Sequence, residues 1–367
     1  MLNVDITLNY KDFALNIAQS FPASGVTALF GRSGSGKSTL LRVIAGLELN
    51  ATGRIAWGDD VWQDARHRTP PHKRGLGYVF QDTRLFPHLT VAQNLSYADK
   101  RAQNHPGPSM DDVITALDLA PLLPRHPATL SGGEQSRCAI GRALLTRPRM
   151  LLMDEPLAAL DATRKAEILP YLERLRDNIG TPILYVSHQM AEVTRLANHL
   201  MLIDKGQITH AGPLETLLAD PATAPALGAR DVGAVITATL TAQDSDGLSR
   251  LTCATGPIYL PHIDAPLGAR LRIRILAQDV IIARTAPTGL SALNILPATV
   301  TSLHPDGAST LVQLHAGTDQ ILARITTRSA TALALAPGTP CFAILKTAAV
   351  APAHIGDQPN LVPHTKL

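Results

Sequence analysis

Residues 31–39 read GRSGSGKST and follow directly on the apolar run VTALF at 26–30. No other stretch restricts the fold as tightly. VTALF has the composition of a buried strand, Ser38–Leu47 has the pattern of a helix with Gly46 near its end, and the glycines between them force a sharp turn. Strand, glycine-rich turn and helix in that order form a phosphate cradle. The backbone N–H groups curl inward and the helix dipole adds attraction for an anion. The spacing G-x-x-x-x-G-K-[ST] is met by Gly31, Gly36, Lys37 and Ser38, a chance match on the order of one per cent in a chain of this size. Gly31, Arg32, Ser33, Gly34, Ser35, Gly36, Lys37, Ser38 and Thr39 are therefore candidate phosphate-binding residues. Lys37 suits the β- and γ-phosphates of a nucleoside triphosphate, and the Ser38 hydroxyl suits Mg²⁺.

Such a loop needs a second acid for the metal and a base for the attacking water. Met150–Glu155 (MLLMDE) offers both at the end of an apolar strand, Asp154 for the metal and Glu155 as general base. Gln81 after GYVF and His188 after PILYVS also stand at strand ends, where α/β folds build their sites. Gln81 is placed to sense the metal and the attacking water. His188 is placed to hold the γ-phosphate.

A second anion-type turn lies at 130–145, LSGGEQSRCAIGRALL, where Ser131, Gly132 and Gly133 lead into a helix without any lysine. The pieces GRSGSGKST, YVFQD (78–82), LSGGE (130–134), LLMDEP (151–156), AALD (158–161) and VSH (186–188) occur in this order. The set resembles the ATP-binding cassette (ABC) transporter ATPases over roughly the first 230 residues. The resemblance implies that Ser131 and Gly133 contact the γ-phosphate of ATP held by the other copy of a homodimer, whose own Lys37 supplies the charge. It places Asp161 at the dimer interface and asks for an aromatic on the adenine, with Tyr10 the candidate and Phe13 the runner-up. The segment after Gln81, DTRLFPHLTVAQNL, and the helical stretch 89–128 correspond to the face that grips a membrane permease, with Leu85, Phe86 and Pro87 as an exposed apolar patch.

Local signals fill in the first part. Ser109 and Asp112 form a capping box for a helix at 110–119, and Asp161 caps a long helix that ends near Gly180. Pro170 inside that helix predicts a kink or break. The stretch ADPATAPALGARD (219–231) reads as a linker, and beyond it the hydrophobic period becomes two. In RLRIRIL (270–276) the leucine and isoleucines share one face, leaving the arginines on a solvated one. Asp306-Gly307 marks a hairpin.

The stretches from LSALN (290–294) through ARITTRS (323–329) to Lys346-Thr347 resemble the Mop-like domain, a small β-barrel that binds molybdate or tungstate elsewhere. That combination looks like the ATP-binding subunits of bacterial molybdate importers. By position Ser291, Ser329 and Lys346 are candidate oxyanion ligands. Leu293 stands where the family commonly has an arginine, a departure that removes the bidentate cation an oxyanion prefers. The expected fold class is an α/β P-loop NTPase, an ABC ATPase with a helical subdomain at about 82–147, followed by a small all-β OB-like barrel of Mop/TOBE type. The expected boundaries are 1–229 for the ATPase, 230–289 for a linker and β segment, 290–352 for the Mop-like domain and 353–367 for a frayed tail.

Composition sets the remaining limits. Basic residues are scattered and the net charge is only +3, so nucleic acid is not an expected partner. Cys138, Cys253 and Cys341 form no CxxC pair and are read as packing groups in a reduced compartment. No stretch approaches the roughly 18 apolar residues of a membrane span, and the start lacks a signal-peptide pattern. The resulting expectation is an ATPase subunit with ATP and Mg²⁺ as cofactors, peripheral on the cytoplasmic face of a bacterial inner membrane. It would work with transmembrane permease subunits and, indirectly, with a periplasmic oxyanion-binding protein. The rival expectations are an importer ATPase for sulfate, iron, polyamine or sugar, and a soluble ABC ATPase outside transport.

Overall fold

A strand without a polar face needs cover on both sides, and VTALF obtains it. The computed structural model describes residues 1–102, 105–228, 231–350 and 354–357. It divides into two compact units, Met1–Ala211 and a second beginning at Gly212. The first contains β1 (Leu2–Asn9), β2 (Ala14–Phe21), β3 (Val26–Phe30), α1 (Lys37–Ala45), β4 (Thr52–Trp57), β5 (Asp60–Gln63) and β6 (Leu76–Val79). Then come α2 (Val91–Asp99), α3 (Met110–Ala116), α4 (Gly132–Leu144), β7 (Met150–Asp154), α5 (Ala162–Ile179), β8 (Ile183–Ser187), α6 (Met190–Leu196) and β9 (His199–Asp204), with β10 (Gln207–Pro213) crossing the boundary.

The strands β3, β7 and β8 are buried along their whole length. They belong to a six-stranded sheet ordered β10-β9-β3-β8-β7-β6, in which β3 to β8, β8 to β7 and β7 to β6 run parallel. The carboxyl ends of four neighbouring strands thus share one sheet edge. A second sheet, β2-β1-β4-β5, is antiparallel, and its strands β1 and β2 alternate. Its buried Leu2, Val4, Ile6 and Leu8 share one core with Leu40 and Leu41 of α1 and with Leu29 and Leu184 of the parallel sheet.

The far end of α1 is fixed by a fully buried arginine that the sequence does not announce. Arg74 donates to the carbonyls of Val43 (3.1 Å), Ile44 (2.7 Å) and Thr69 (3.0 Å). Val43 and Ile44 lie in the last turn of α1, where carbonyls run short of backbone donors, although the Val43 carbonyl also accepts the Gly46 N–H at 3.0 Å. Burial lowers the Arg74 pKa to about 10.

Three helices of the 82–147 region open with reciprocal capping boxes: Thr90 with Gln93, Ser109 with Asp112, and Ser131 with Glu134. The helix expected over 110–119 stops at Ala116, and Asp118 beyond it takes a positive φ of 47°. In α5, Asp161 accepts the Arg164 N–H and Gly180 closes the helix in a left-handed conformation. Of the kink or break expected at Pro170, the break does not occur. The helix runs on through it, with Pro170 facing solvent and Ile168, Leu169, Leu172 and Leu175 buried. The patch expected at 85–87 is also smaller than read from sequence. Phe86 is half-buried, edge-on to Tyr97 at 4.7 Å with the Arg142 guanidinium 5.2 Å from its ring centre.

The second unit comprises α7 (Leu214–Leu218), α8 (Ala224–Leu227), β11 (Gly233–Gln243), β12 (Leu248–Cys253), β13 (Gly256–Pro261), β14 (Arg270–Leu276) and β15 (Val280–Ala283). It continues with β16 (Asn294–Asp306), β17 (Ser309–Ala316), β18 (Asp319–Thr326), α9 (Thr327–Ala332), β19 (Pro340–Leu345) and β20 (Ile355–Asp357). Two five-stranded sheets, β13-β12-β11-β14-β20 and β15-β19-β16-β17-β18, share one apolar core that includes Ile236, Leu251, Ile273, Val312 and Ala343. The Asp306-Gly307 hairpin is present, with Asp306 paired to Ser309.

Several expectations change here. Residues 219–228 are not a linker: Pro221, Thr223, Ala224 and Leu227 are buried, and the first compact unit ends at Ala211 rather than 229. Residues 230–289 hold most of a sheet, and β20 falls inside the stretch expected to fray. The rest of 353–367, apart from His354, lies outside the described residues. The arginine face of β14 is solvated only at Arg270. Arg272 and Arg274 are 3% and 4% exposed, because Glu215 of α7 and Asp231 pair with their guanidinium groups. Alternation alone cannot distinguish water from a covering helix that brings its own carboxylate.

Candidate functional site

The phosphate cradle follows β3. Gly36, with φ 105°, is the N-cap of α1, and no side chain caps the helix. A Cβ at Gly36 would sit 2.7 Å from the Phe13 ring, so glycine is required by space as well as by conformation. Lys37 is 5% exposed, and its Nζ donates to the carbonyls of Gly31 (2.9 Å) and Arg32 (3.0 Å). Burial pulls the Lys37 pKa down, against the attraction of Glu155 and Asp154. Among the described residues, none gives the buried Ser35 Oγ a hydrogen-bond partner. An uncapped helix start, a buried ammonium held by carbonyls and an orphaned hydroxyl are together the chemistry of an anion site. Arg32, Ser33, Gly34 and Ser38 are exposed and Thr39 is half-buried.

The ends of β7 and β8 bring in the rest. Ser38 Oγ donates to Asp154 Oδ1 at 2.7 Å, and Tyr78 Oη, from β6, donates to Oδ2 at 3.2 Å. Burial pushes the Asp154 pKa up, while these two hydrogen bonds hold it down. Glu155 adopts φ 46°, a left-handed conformation that costs a non-glycine residue about 1–3 kcal/mol. Its N–H donates to the Val186 carbonyl of β8 at 3.1 Å. His188 Nδ1 and Glu155 Oε2 are 3.0 Å apart. Gln81 is exposed just beyond β6, at the same sheet edge.

The second cradle is prepared differently. Ser131 Oγ accepts the Glu134 N–H at 3.3 Å, and Glu134 Oε2 accepts the Ser131 N–H at 2.6 Å. The Ser131 N–H, helped by Arg125 at 3.0 Å, holds the Glu134 carboxyl below its usual range against the opposing effect of burial. Gly133 is buried, and a Cβ there would sit 3.0 Å from Ile168 Cδ1 of α5. Gly132 is half-buried and Asp161 is exposed as the cap of α5. Among the described residues no hydrogen bond joins Ser131, Gly132, Gly133 or Asp161 to residues 31–39. Tyr10 is 45% exposed with its Oη donating to Glu48, while the Phe13 ring lies under Gly36.

In the second unit the oxyanion candidates do not converge. Asn294 pairs with Leu345, which places Ser291 and Lys346 near the start of β16. Ser329 lies on α9, after the Thr326 that pairs with Ser309 near the far end of β16. Both Ser291 and Lys346 are exposed, whereas Ser329 Oγ bonds Thr326 at 2.8 Å.

Sequence reading missed Tyr78, Arg74 and a buried cluster around Glu192. An acid four residues after His188 on a short helix carries no obvious signal. Only its burial reveals the role. The three cysteines are free and buried, as packing groups would be, and burial pushes the Cys138 thiol up to about 12.

Comparison with known proteins fits this geometry. Residues 15–158 match the ABC transporter family model and residues 290–352 match the TOBE domain. The molybdenum import ATP-binding protein of Thiobacillus denitrificans is 49% identical over 94% of this chain and 96% of its own length. That of Methylococcus capsulatus is 46% identical over 94% and 97%. A solved nucleotide-free ATP-binding cassette from an ABC transporter aligns with a TM-score of 0.51 and 26% identity, covering 60% of this chain and 96% of that one. Full-length similarity at this level, carried by both units, leads to one conclusion: the chain belongs to the ABC transporter family, within the group of molybdenum import ATP-binding proteins.

Proposed function

We propose that this chain hydrolyses ATP to drive molybdate, and also tungstate, through a separate membrane permease. One observation carries the reading. Lys37, the Ser38–Asp154 pair and the Glu155–His188 pair gather at one sheet edge around the glycine-rich cradle. Residues 31–39 bind the triphosphate, and Lys37 moves from loop carbonyls to the β- and γ-phosphates. Glu155 takes a proton from the attacking water, and His188 holds the γ-phosphate while its ring is oriented by Glu155. Tyr10 or Phe13 supports the adenine.

The donor set of Ser38 hydroxyl, Asp154 carboxylate and Gln81 amide is all oxygen, which suits Mg²⁺. When bound, the ion neutralises charge developing on the phosphate oxygens. Two copies face each other, so that Ser131, Gly132 and Gly133 of one reach the nucleotide of the other, with Asp161 at the junction. The absence of a lysine in LSGGE and the lack, among the described residues, of any hydrogen bond between the two cradles support this arrangement.

Among the described residues no helix is long and apolar enough to cross a membrane. The chain works against permease subunits at the cytoplasmic face of the inner membrane, supplied by a periplasmic oxyanion-binding protein. A tail site using Ser291, Ser329 and Lys346 together would draw on a second copy.

The test is a Glu155→Gln variant given ATP and Mg²⁺. Hydrolysis should fall by about 10²–10⁴-fold while a dimer accumulates on size-exclusion chromatography. Normal turnover would remove Glu155 from the base role, and a persistent monomer would remove the shared nucleotide. In reconstituted vesicles, stimulation by molybdate and tungstate but not by sulfate distinguishes the cargo.

A further inference from the structure

Four side chains with no assigned part in the reaction form a closed buried network beside the site. Lys165 of α5 donates to Glu192 Oε1 of α6 at 2.9 Å, with side-chain exposures of only 9% and 5%. Glu192 Oε2 accepts from Tyr185 Oη and from Ser187 Oγ, both at 2.8 Å. Ser187 Oγ in turn accepts the Gln189 N–H at 3.0 Å. Both chain neighbours of His188 are therefore pinned through one carboxylate. The other end of the network is equally placed, because Lys165 N–H donates to the Asp161 carbonyl at 3.0 Å in the first turn of α5.

A buried ion pair is expensive to desolvate, and a well-packed apolar pair of similar volume is often as stable. What charge and hydroxyls add here is direction, since three donors meet two oxygens and leave the turn at 187–189 one arrangement. We propose that Lys165, Glu192 and Ser187 are positioning residues for ATP hydrolysis. They fix the turn that presents His188 to Glu155, and they tie it to the helix start that carries Asp161. The inference rests on the role given above to His188. Engagement of Asp161 by a second copy and the aim of His188 in the same chain then become one mechanical event.

The experiment uses the full-length chain, with steady-state ATPase kinetics and ¹⁵N-histidine NMR, the His188 signal being assigned by its loss in His188→Ala. Glu192→Gln and Lys165→Met should lower kcat by about tenfold or more, keep KM for ATP within about twofold and move the His188 ring resonances. Lys165→Arg should preserve all three. Asp161→Ala should cost less, as a fold-change in kcat, in the Lys165→Met background than in the native chain. Ser187→Ala removes a single hydroxyl, and should move the His188 signal even if the charge variants fail to fold. Unmoved His188 resonances, unchanged kcat in Glu192→Gln, or strictly additive Asp161 and Lys165 effects would overturn the proposal. A His188→Ala chain with native turnover would instead overturn the role of His188, while the ring signals would still report whether the network places it.

Discussion

The two glycine-containing turns both open helices, yet one is left incomplete and the other is finished. At 31–39 the helix start has no side-chain cap and no acid in its first turn, the lysine is buried against loop carbonyls, and a serine hydroxyl has no partner among the described residues. At 131–134 Ser131 and Glu134 satisfy each other's N–H groups, and Arg125 balances the acid. The first turn is unsatisfied without an anion. The second is stable alone, so any anion there has to compete with an existing cap. A strong permanent nucleotide site and a weaker engaging site follow from that contrast.

Three changes test it. The largest effect belongs to Lys37→Ala. Nucleotide affinity, measured by fluorescent-analogue titration, should fall at least about a hundredfold, since the loop's buried ammonium is lost with Lys37. Retention of affinity would make the two turns equivalent. Ser131→Ala comes next. Without nucleotide it should cost about 1 kcal/mol of stability in thermal melts, the usual value of a helix cap, and with Glu155→Gln it should weaken ATP-driven dimer formation. Ser33→Ala in the first cradle should cost no such cap energy, because no side chain caps α1.

The smallest effect is a pH dependence confined to the second turn. The Glu134 carboxyl is depressed below its usual 4.5 in the folded chain. Its contribution is therefore complete above 4.5 and is lost as pH falls through the lower folded value. The protection factors of the Ser131 and Glu134 amides, exchange rates corrected for the intrinsic pH dependence, should fall in that window, while the start of α1, which has no acid in its first turn, should not respond in this way.

Much of the site could be read from the chain alone because its parts are punctuated. A glycine run after a strand, an acid pair ending another, and lone Gln and His residues at further strand ends all fall on the parallel sheet's carboxyl edge. What stayed hidden depends on what packs on what. Arg74, Tyr78 and Glu192 look like ordinary surface residues until burial forces partners on them. The second unit misled for the same reason. Pro- and Ala-rich 219–228 resembles a tether, and the arginines of β14 resemble a wet face, until Glu215 and Asp231 are seen to pair with those arginines. Pro170 shows the converse, a strong local signal overridden by four buried neighbours on α5.

The backbone at Glu155 sets foldability and turnover against each other. A glycine there would relax the left-handed turn and yield a sturdier chain that consumes no fuel. Any screen that rewards only thermal robustness will drift toward that dead variant, so stabilised versions of this motor need to be selected on work performed.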